Sequence, residues 1–124
     1  MADETVSSFY DVDKVTRERA ADVVNIKVGK VGGLHMAKKI AHALEAVGIT
    51  AQAGSNLEVG IGSAASIHFV ASTKNVNLPS DLFIGGYLHE YDLIEGGLIF
   101  NNGRVKCPDI PGLGIEVDEK RIFS

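Results

Sequence analysis

A chain of 124 residues has room for one small domain with a modest core. Its composition is that of an ordinary soluble α/β protein, 45% hydrophobic and 23% charged. The net charge of −4, without a basic stripe, excludes an electrostatic footprint for nucleic acid or for an anionic membrane surface.

In chain order, Val12, Val15 and Ala20, with Lys14, Arg17, Glu18 and Arg19 between them, predict a short surface helix over 12–21. Asp22 to Val28 is β-branched and bounded by Gly29, which reads as a buried strand. Leu34, Ala37, Ile40, Ala41, Leu44 and Val47 recur at helical spacing, with Gly48 where a C-terminal cap belongs. Ile49 to Ala53 is a second strand, Gly62 to Ser72 a small-residue helix, and Val76 to Leu78 a third short strand ended by Pro79. This alternation is the pattern of parallel βαβ units, and it stops after Asp81. Leu98-Ile99-Phe100 and Val105-Lys106-Cys107, joined by Asn102-Gly103, then predict a hairpin with a type I′ turn.

The first strand carries the most chemistry. Side chains alternate along a strand, so Val24, Ile26 and Val28 share one face while Val23, Asn25 and Lys27 share the other. The apolar face suits packing under helices. The other puts an amide and an ammonium at the C-terminal end of a parallel strand, the end at which barrel active sites are built. A partly desolvated lysine there loses its proton near neutral pH and serves as a base. Lys27 also reads as an ordinary strand-end lysine reaching solvent. Lys30 has the opposite parity and reads as a loop charge. Glu58 and Asp81 are loop acids after the second and third strands, and Asp3-Glu4 is an adjacent carboxylate pair; none of these is a site by itself.

Other patterns are weaker. Gly60-Ile61-Gly62-Ser63-Ala64-Ala65 spells a dinucleotide-like outline, yet the nearby Glu58 would repel a pyrophosphate, and close helix packing explains the small residues better. His89-Glu90 lacks a second histidine, His35 and His42 have no ligand cluster, and His68 reads as a packing residue, so a zinc site is not expected. Cys107, the single cysteine, excludes an internal disulfide and points to a reducing compartment. It reads as a small strand residue before Pro108 with no histidine in evidence nearby. Met1-Ala2-Asp3-Glu4 leads into no apolar stretch of a signal peptide, and no run approaches a membrane span. The expected location is cytoplasmic.

Several segments together resemble a known family. Met1-Ala2-Asp3-Glu4-Thr5, DVVNIKVGKVGGL (22–34), SNLEVGIGSAASIHFVA (55–71) and PGLGIEVDE (111–119) are similar, in order, to the C-terminal barrel segments of the muconate-lactonizing branch of the enolase superfamily. The 24-residue separation of Asp3 from Lys27 agrees with that likeness. The resemblance implies an α/β fold: the C-terminal portion, about half, of a TIM-type (β/α) barrel over residues 1–80, with a C-terminal loop and β-hairpin segment over 81–124. It implies that Asp3 ligates Mg²⁺ or Mn²⁺ and that Lys27 is an acid/base at the carbon α to a carboxylate. It also implies that Asp81 is an active-site acid and that Glu58 lines the site.

The same likeness implies parts that this chain does not contain: a capping domain, four earlier strands, a lysine pair and two further metal carboxylates. The expectation is an isomerase or lyase acting on a small carboxylate, inactive alone or completed by another polypeptide. Dipeptide epimerases of this group tend to show a DxD there, so the single acid in Pro79-Ser80-Asp81 favours a cycloisomerase-like enzyme, or a related racemase or acid-sugar dehydratase, over a dipeptide epimerase. A non-catalytic half-barrel that oligomerises through its open edges is the competing expectation.

Overall fold

A capping box sets the start of the first helix in the computed structural model, which describes residues 1–123. The Ser8 hydroxyl accepts from the Asp11 amide at 3.3 Å, and Asp11 Oδ2 accepts from the Ser8 amide at 2.8 Å. Helix α1 therefore runs Phe9–Arg17, three residues earlier than the apolar spacing alone predicts. It stops short of Ala21 because Arg19 takes a left-handed conformation (φ 46°). Ala20 then donates to the Val15 carbonyl at 3.1 Å and Arg19 to Thr16 at 3.3 Å, closing the helix end.

Strand β1 (Val23–Ile26) follows, then helix α2 (Leu34–Ala46), strand β2 (Thr50–Ala53) and helix α3 (Gly60–Ala71). Gly48 (φ 74°) ends α2 as expected, with Ile49 donating back to Leu44 at 3.0 Å. β1 and β2 pair in parallel, Val23 opposite Thr50 through Ile26 opposite Ala53. Single parallel bridges extend the order on both sides: Ala2 to Val24 at one edge and Ala51 to Val76 at the other. Four strand positions thus lie side by side, but Val76-Asn77-Leu78 makes one bridge rather than the strand expected of it. Asn75 holds that edge instead, its side-chain amide donating to the carbonyls of Ala41 and Ile49.

The core lies between the sheet and its helices. Val24, Ile26, Ala51 and Ala53 from the outward face meet Ala37, Ile40, Ala41 and Leu44 of α2 and Phe69 of α3, all fully buried. Both strands therefore place alternate apolar side chains under the helices, Val24 and Ile26 from β1 and Ala51 and Ala53 from β2, as the alternation in β1 predicts. Among the described residues, no helix is long and apolar enough to cross a membrane.

Beyond Leu82 the chain forms short pieces: a 3₁₀ turn (Gly85–Tyr87), β3 (Ile94–Glu95), β4 (Phe100–Asn101), β5 (Arg104–Val105), β6 (Glu116–Val117) and α4 (Glu119–Ile122). β4 and β5 form the expected hairpin, with Asn102 (φ 49°) and Gly103 (φ 71°) both left-handed as a type I′ turn requires. Its strands are shorter than expected, leaving Cys107 beyond β5. The antiparallel pairing of β3 with β6 has no local signal in sequence. This segment grips α3 at its start. No side chain of α3's own loop caps its first turn. Asp92 does so from 32 residues away, its Oδ1 accepting from the Gly60 amide at 2.8 Å.

Candidate functional site

The C-terminal ends of the parallel strand positions converge on a cluster of two lysines and two acids. Ala2 is tied to β1 by two backbone hydrogen bonds, its N–H to Val23 O and its carbonyl from the Asn25 N–H, both 2.8 Å. That pairing delivers Asp3 and Glu4 beside the end of β1, where Lys27 emerges. Lys27 Nζ lies 3.1 Å from Asp3 Oδ1 and donates to Glu4 Oε1 in a shorter contact. Its side chain is only 9% exposed, against 72% for Glu4. Lys30 joins the same group, donating to the Asp3 carbonyl at 2.9 Å and standing 3.5 Å from both carboxylates.

Lys30 corrects the parity argument. Alternation holds only while the chain is extended, and a turn begins at Val28, with Val31 donating to Lys27 O at 3.1 Å. The turn swings Lys30 back toward Asp3. Glu4 is likewise a member that the sequence presents only as the neighbour of Asp3. Asn25 is 4% exposed, below Lys27 on the same face, and its side-chain amide helps to hold the Asp3 carboxyl down. The missing side chain of Gly54 makes room for that amide, since a Cβ there would collide with it.

The electrostatics run against a neutral lysine in this arrangement. Lys27 is held above the ordinary lysine range, first by its hydrogen bond to Glu4; burial opposes this, and Asp3 adds to it. The expectation that desolvation would free Lys27 of its proton is therefore corrected: two carboxylates outweigh burial. Glu4 is lowered chiefly by the Lys27 hydrogen bond. For Asp3, burial is the largest influence and pushes upward, but hydrogen bonds from Asn25 and Lys27 and the two ammonium charges together bring it below its ordinary value.

Glu58 and Asp81 stand apart from this cluster. Glu58 turns back on its own loop, its Oε2 accepting from Ser55 Oγ at 2.6 Å and its Oε1 from the Asn56 amide at 2.9 Å. It borders a cleft of about 510 Å³ shared with Leu57, His89 and Tyr91. Asp81 is exposed, and its backbone N–H donates to Ala53 O at 3.0 Å, which anchors it at the end of β2. Neither acid shares an ion pair with Lys27 among the described residues. Their loops leave the same strand end as Lys27: Asn56 lies 3.6 Å from where a Cβ on Gly29 would stand, and Asp81 follows its hydrogen bond to Ala53 at the end of β2.

No group of three or more His, Cys, Asp or Glu side chains suited to a metal ion occurs among the described residues. Asp3 and Glu4 are two carboxylates already engaged by lysines, too few oxygens for a Mg²⁺ site of their own. The α3 N-terminus is filled by Asp92, which leaves its Gly60 amide no place for a pyrophosphate. His68 and Cys107 also revise their sequence readings. Cys107 Sγ lies 3.5 Å from His68 Nδ1, and His68 Nε2 lies 3.1 Å from Leu113 O.

Comparison with known proteins agrees with this architecture. The family model described as "Enolase C-terminal domain-like" matches residues 1–121. Muconate cycloisomerase 1 of Rhodococcus opacus is 36% identical over 95% of this chain and 31% of its own length. L-Ala-D/L-Glu epimerase of Bacillus subtilis is 36% identical over 93% and 31%, and its substrate-liganded structure superposes with a TM-score of 0.84. Muconate lactonizing enzyme of Pseudomonas putida superposes with a TM-score of 0.91 at 28% identity, covering 99% of this chain and 34% of that one. The chain therefore spans about a third of the length of the relatives it matches. Its α/β arrangement matches the C-terminal domain of enolase-superfamily TIM-barrel enzymes. By the match over 1–121 and the superposition of its strands and helices, the chain belongs to the enolase C-terminal domain-like family of the enolase superfamily.

Proposed function

We propose that this chain supplies the Lys27 side of an isomerase or lyase active site that moves a proton at the carbon α to a carboxylate. The observation that carries the reading is the convergence of Lys27, Lys30, Asp3 and Glu4 at the C-terminal end of parallel strands. Cycloisomerase, o-succinylbenzoate synthase and dipeptide epimerase relatives support the isomerase or lyase class. The single acid at Pro79-Ser80-Asp81 favours a muconate cycloisomerase-like member.

A proton α to a carboxylate is weakly acidic, so its transfer needs a positioned acid/base and stabilisation of the charge that develops on the oxygens. Lys27 is the proton carrier in this reading. Buried to 9% exposure, it holds a proton on Nζ while Asp3 and Glu4 face it. Drawing those carboxylates away removes what raises Lys27 and leaves burial, which lowers it. Lys30 is a second fixed positive charge over the same spot. Asp81 and Glu58 line the approach from the β2 end. Mg²⁺ or Mn²⁺, the metal expected for the family, would stabilise an enediolate. This chain's part in such a centre is Asp3, with the other ligands coming from outside it. The partner is a polypeptide that pairs with the open edges at Ala2 and Val76, and the substrate is a small carboxylate.

The test joins the chain to a polypeptide carrying the remaining barrel strands and follows exchange of the α-proton of small carboxylates in D₂O. Exchange is expected in the assembly and not in the chain alone, with a loss of about 10²–10⁴-fold on Lys27→Met. Full exchange by a folded Lys27→Met assembly would defeat the reading.

A further inference from the structure

The side chains of His68 and Cys107 meet outside the lysine–acid cluster, at the junction of α3 and the C-terminal segment. The contact is directional. A carbonyl oxygen only accepts hydrogen bonds, so the 3.1 Å approach of Leu113 O requires His68 Nε2 to carry the ring proton. A neutral imidazole protonated at Nε2 has a lone pair on Nδ1. That lone pair faces Cys107 Sγ at 3.5 Å, its one hydrogen-bond donor among the described residues, and the thiol's other acceptor, the Pro108 carbonyl, is farther away at 3.8 Å. The fold has thus joined a thiol, a base in one tautomer and a backbone group that orients the base. A neighbouring base held by a third group is one of the ways in which a cysteine is activated as a nucleophile.

The residue that carries the thiol is partly open to solvent and stands beside a cleft. Cys107 is half-buried rather than enclosed. Its two chain neighbours, Lys106 and Pro108, line an open cleft of about 220 Å³ with Leu98, Ile99 and Ile110. Gly114 (φ 66°) turns the chain back so that Leu113 reaches His68, and a side chain at Gly114 would strike Pro108. The lysine–acid cluster uses neither residue.

We propose that Cys107 and His68 form an activated thiol–imidazole pair, a site for reversible mixed-disulfide formation with small disulfides whose apolar body fits the adjoining cleft. The sulfur attacks one sulfur of the disulfide while its proton passes to His68 Nδ1. A new S–S bond forms and the old one breaks. The departing thiolate takes the proton back from Nδ1 and leaves as a thiol, so one disulfide is consumed and one formed. Capping the sulfur removes the donor that ties residue 107 to α3, which links modification to the hold of the C-terminal segment.

The chain has one cysteine, so the reaction with dithionitrobenzoate reports on Cys107 alone. The full chain and a peptide of residues 103–110, which keeps Lys106 and Pro108, are compared at one pH. The folded chain is expected to react at least about 10-fold faster than the peptide, with His68→Gln returning it to the peptide's rate or below. A folded chain that reacts no faster than the peptide overturns the proposal. So does a folded His68→Gln chain that keeps the full rate. If that variant fails to fold, the comparison of chain and peptide decides alone. Neither result depends on the role proposed for Lys27.

Discussion

Residues 6–76 and residues 82–123 are held in place by different physics. The first region supplies every member of the buried apolar cluster, from Val6 to Val76, with Ile26, Ile40, Leu44 and Phe69 wholly removed from solvent. In the second, Ile94 is the one buried large hydrophobic, while Tyr87, Leu88, Ile99, Ile110 and Phe123 lie more than half exposed. Its ties to α3 include single polar contacts, the Asp92 cap and the grip of Leu113 and Cys107 on His68, while the β4–β5 turn and the stacking of Phe83 on Phe100 order it internally. Hydrophobic burial is non-directional and sums over many atoms, so the first region tolerates the loss of any one polar contact. The second depends on a few directional bonds, each worth about 1 kcal/mol.

Substitutions can break or sharpen this contrast. Phe69→Ala should have the largest effect, costing about 3–5 kcal/mol in urea unfolding, whereas Ile99→Ala should stay within about 0.5 kcal/mol. Equal costs at the two sites would erase the distinction. Asp92→Ala removes the remote cap of α3 and should cost about 1–2 kcal/mol. Its signature is regional: hydrogen exchange should quicken across 92–118 and at the first turn of α3 while the amides of β1 and β2 stay protected. Arg19→Gly relieves a side chain from left-handed backbone at the end of α1 and should stabilise by about 0.5–1 kcal/mol, seen as a raised thermal midpoint.

The smallest effect belongs to the lysine–acid cluster, and it is read as a pH profile. Asp3 and Glu4 are lowered from ordinary values of 3.8 and 4.5, so their contribution is present above those values and lost as acid brings the pH down through their folded values. Lys27 is raised from 10.5, so its contribution is complete below that value and lost as the pH rises through the higher folded one. Stability should therefore level off between about pH 4.5 and 10.5 and fall on both sides. Glu4→Gln should flatten the acid limb and move the Lys27 titration downward, measured by NMR. An unmoved Lys27 would show that Glu4 does not hold it.

The same division explains what could be read from the residues alone. Periodic burial writes itself into sequence, so the faces of β1 and α2 and the capping role of Gly48 were legible there. Boundaries decided by a few polar atoms were not: Ser8 and Asp11 start α1 early, and Arg19 ends it without the usual glycine. Val76-Asn77-Leu78 looked like a strand because its apolar residues alternate ahead of Pro79, yet Asn75 turns that edge into a single bridge. In the cluster, strand alternation identified the Asn25 and Lys27 face but could say nothing of Lys30, which lies past the turn. Glu58 could be recognised as a loop acid, but its folding back onto Ser55 could not be foreseen. The pairing of Cys107 with His68, 39 residues apart, leaves no local trace.

The two 2.8 Å hydrogen bonds that hold Ala2 against β1 set a limit of their own. Among the described residues they alone join the Asp3–Glu4 segment to the sheet as a strand, so breaking them is a local opening that does not require global unfolding. Whatever engages Asp3 and Glu4 meets them in position only for the closed fraction of time, and its apparent affinity is scaled by that fraction. A neighbouring strand laid against the outer side of Ala2 would raise the closed population without touching either carboxylate. Occupancy of the cluster would then be governed by backbone pairing at its edge.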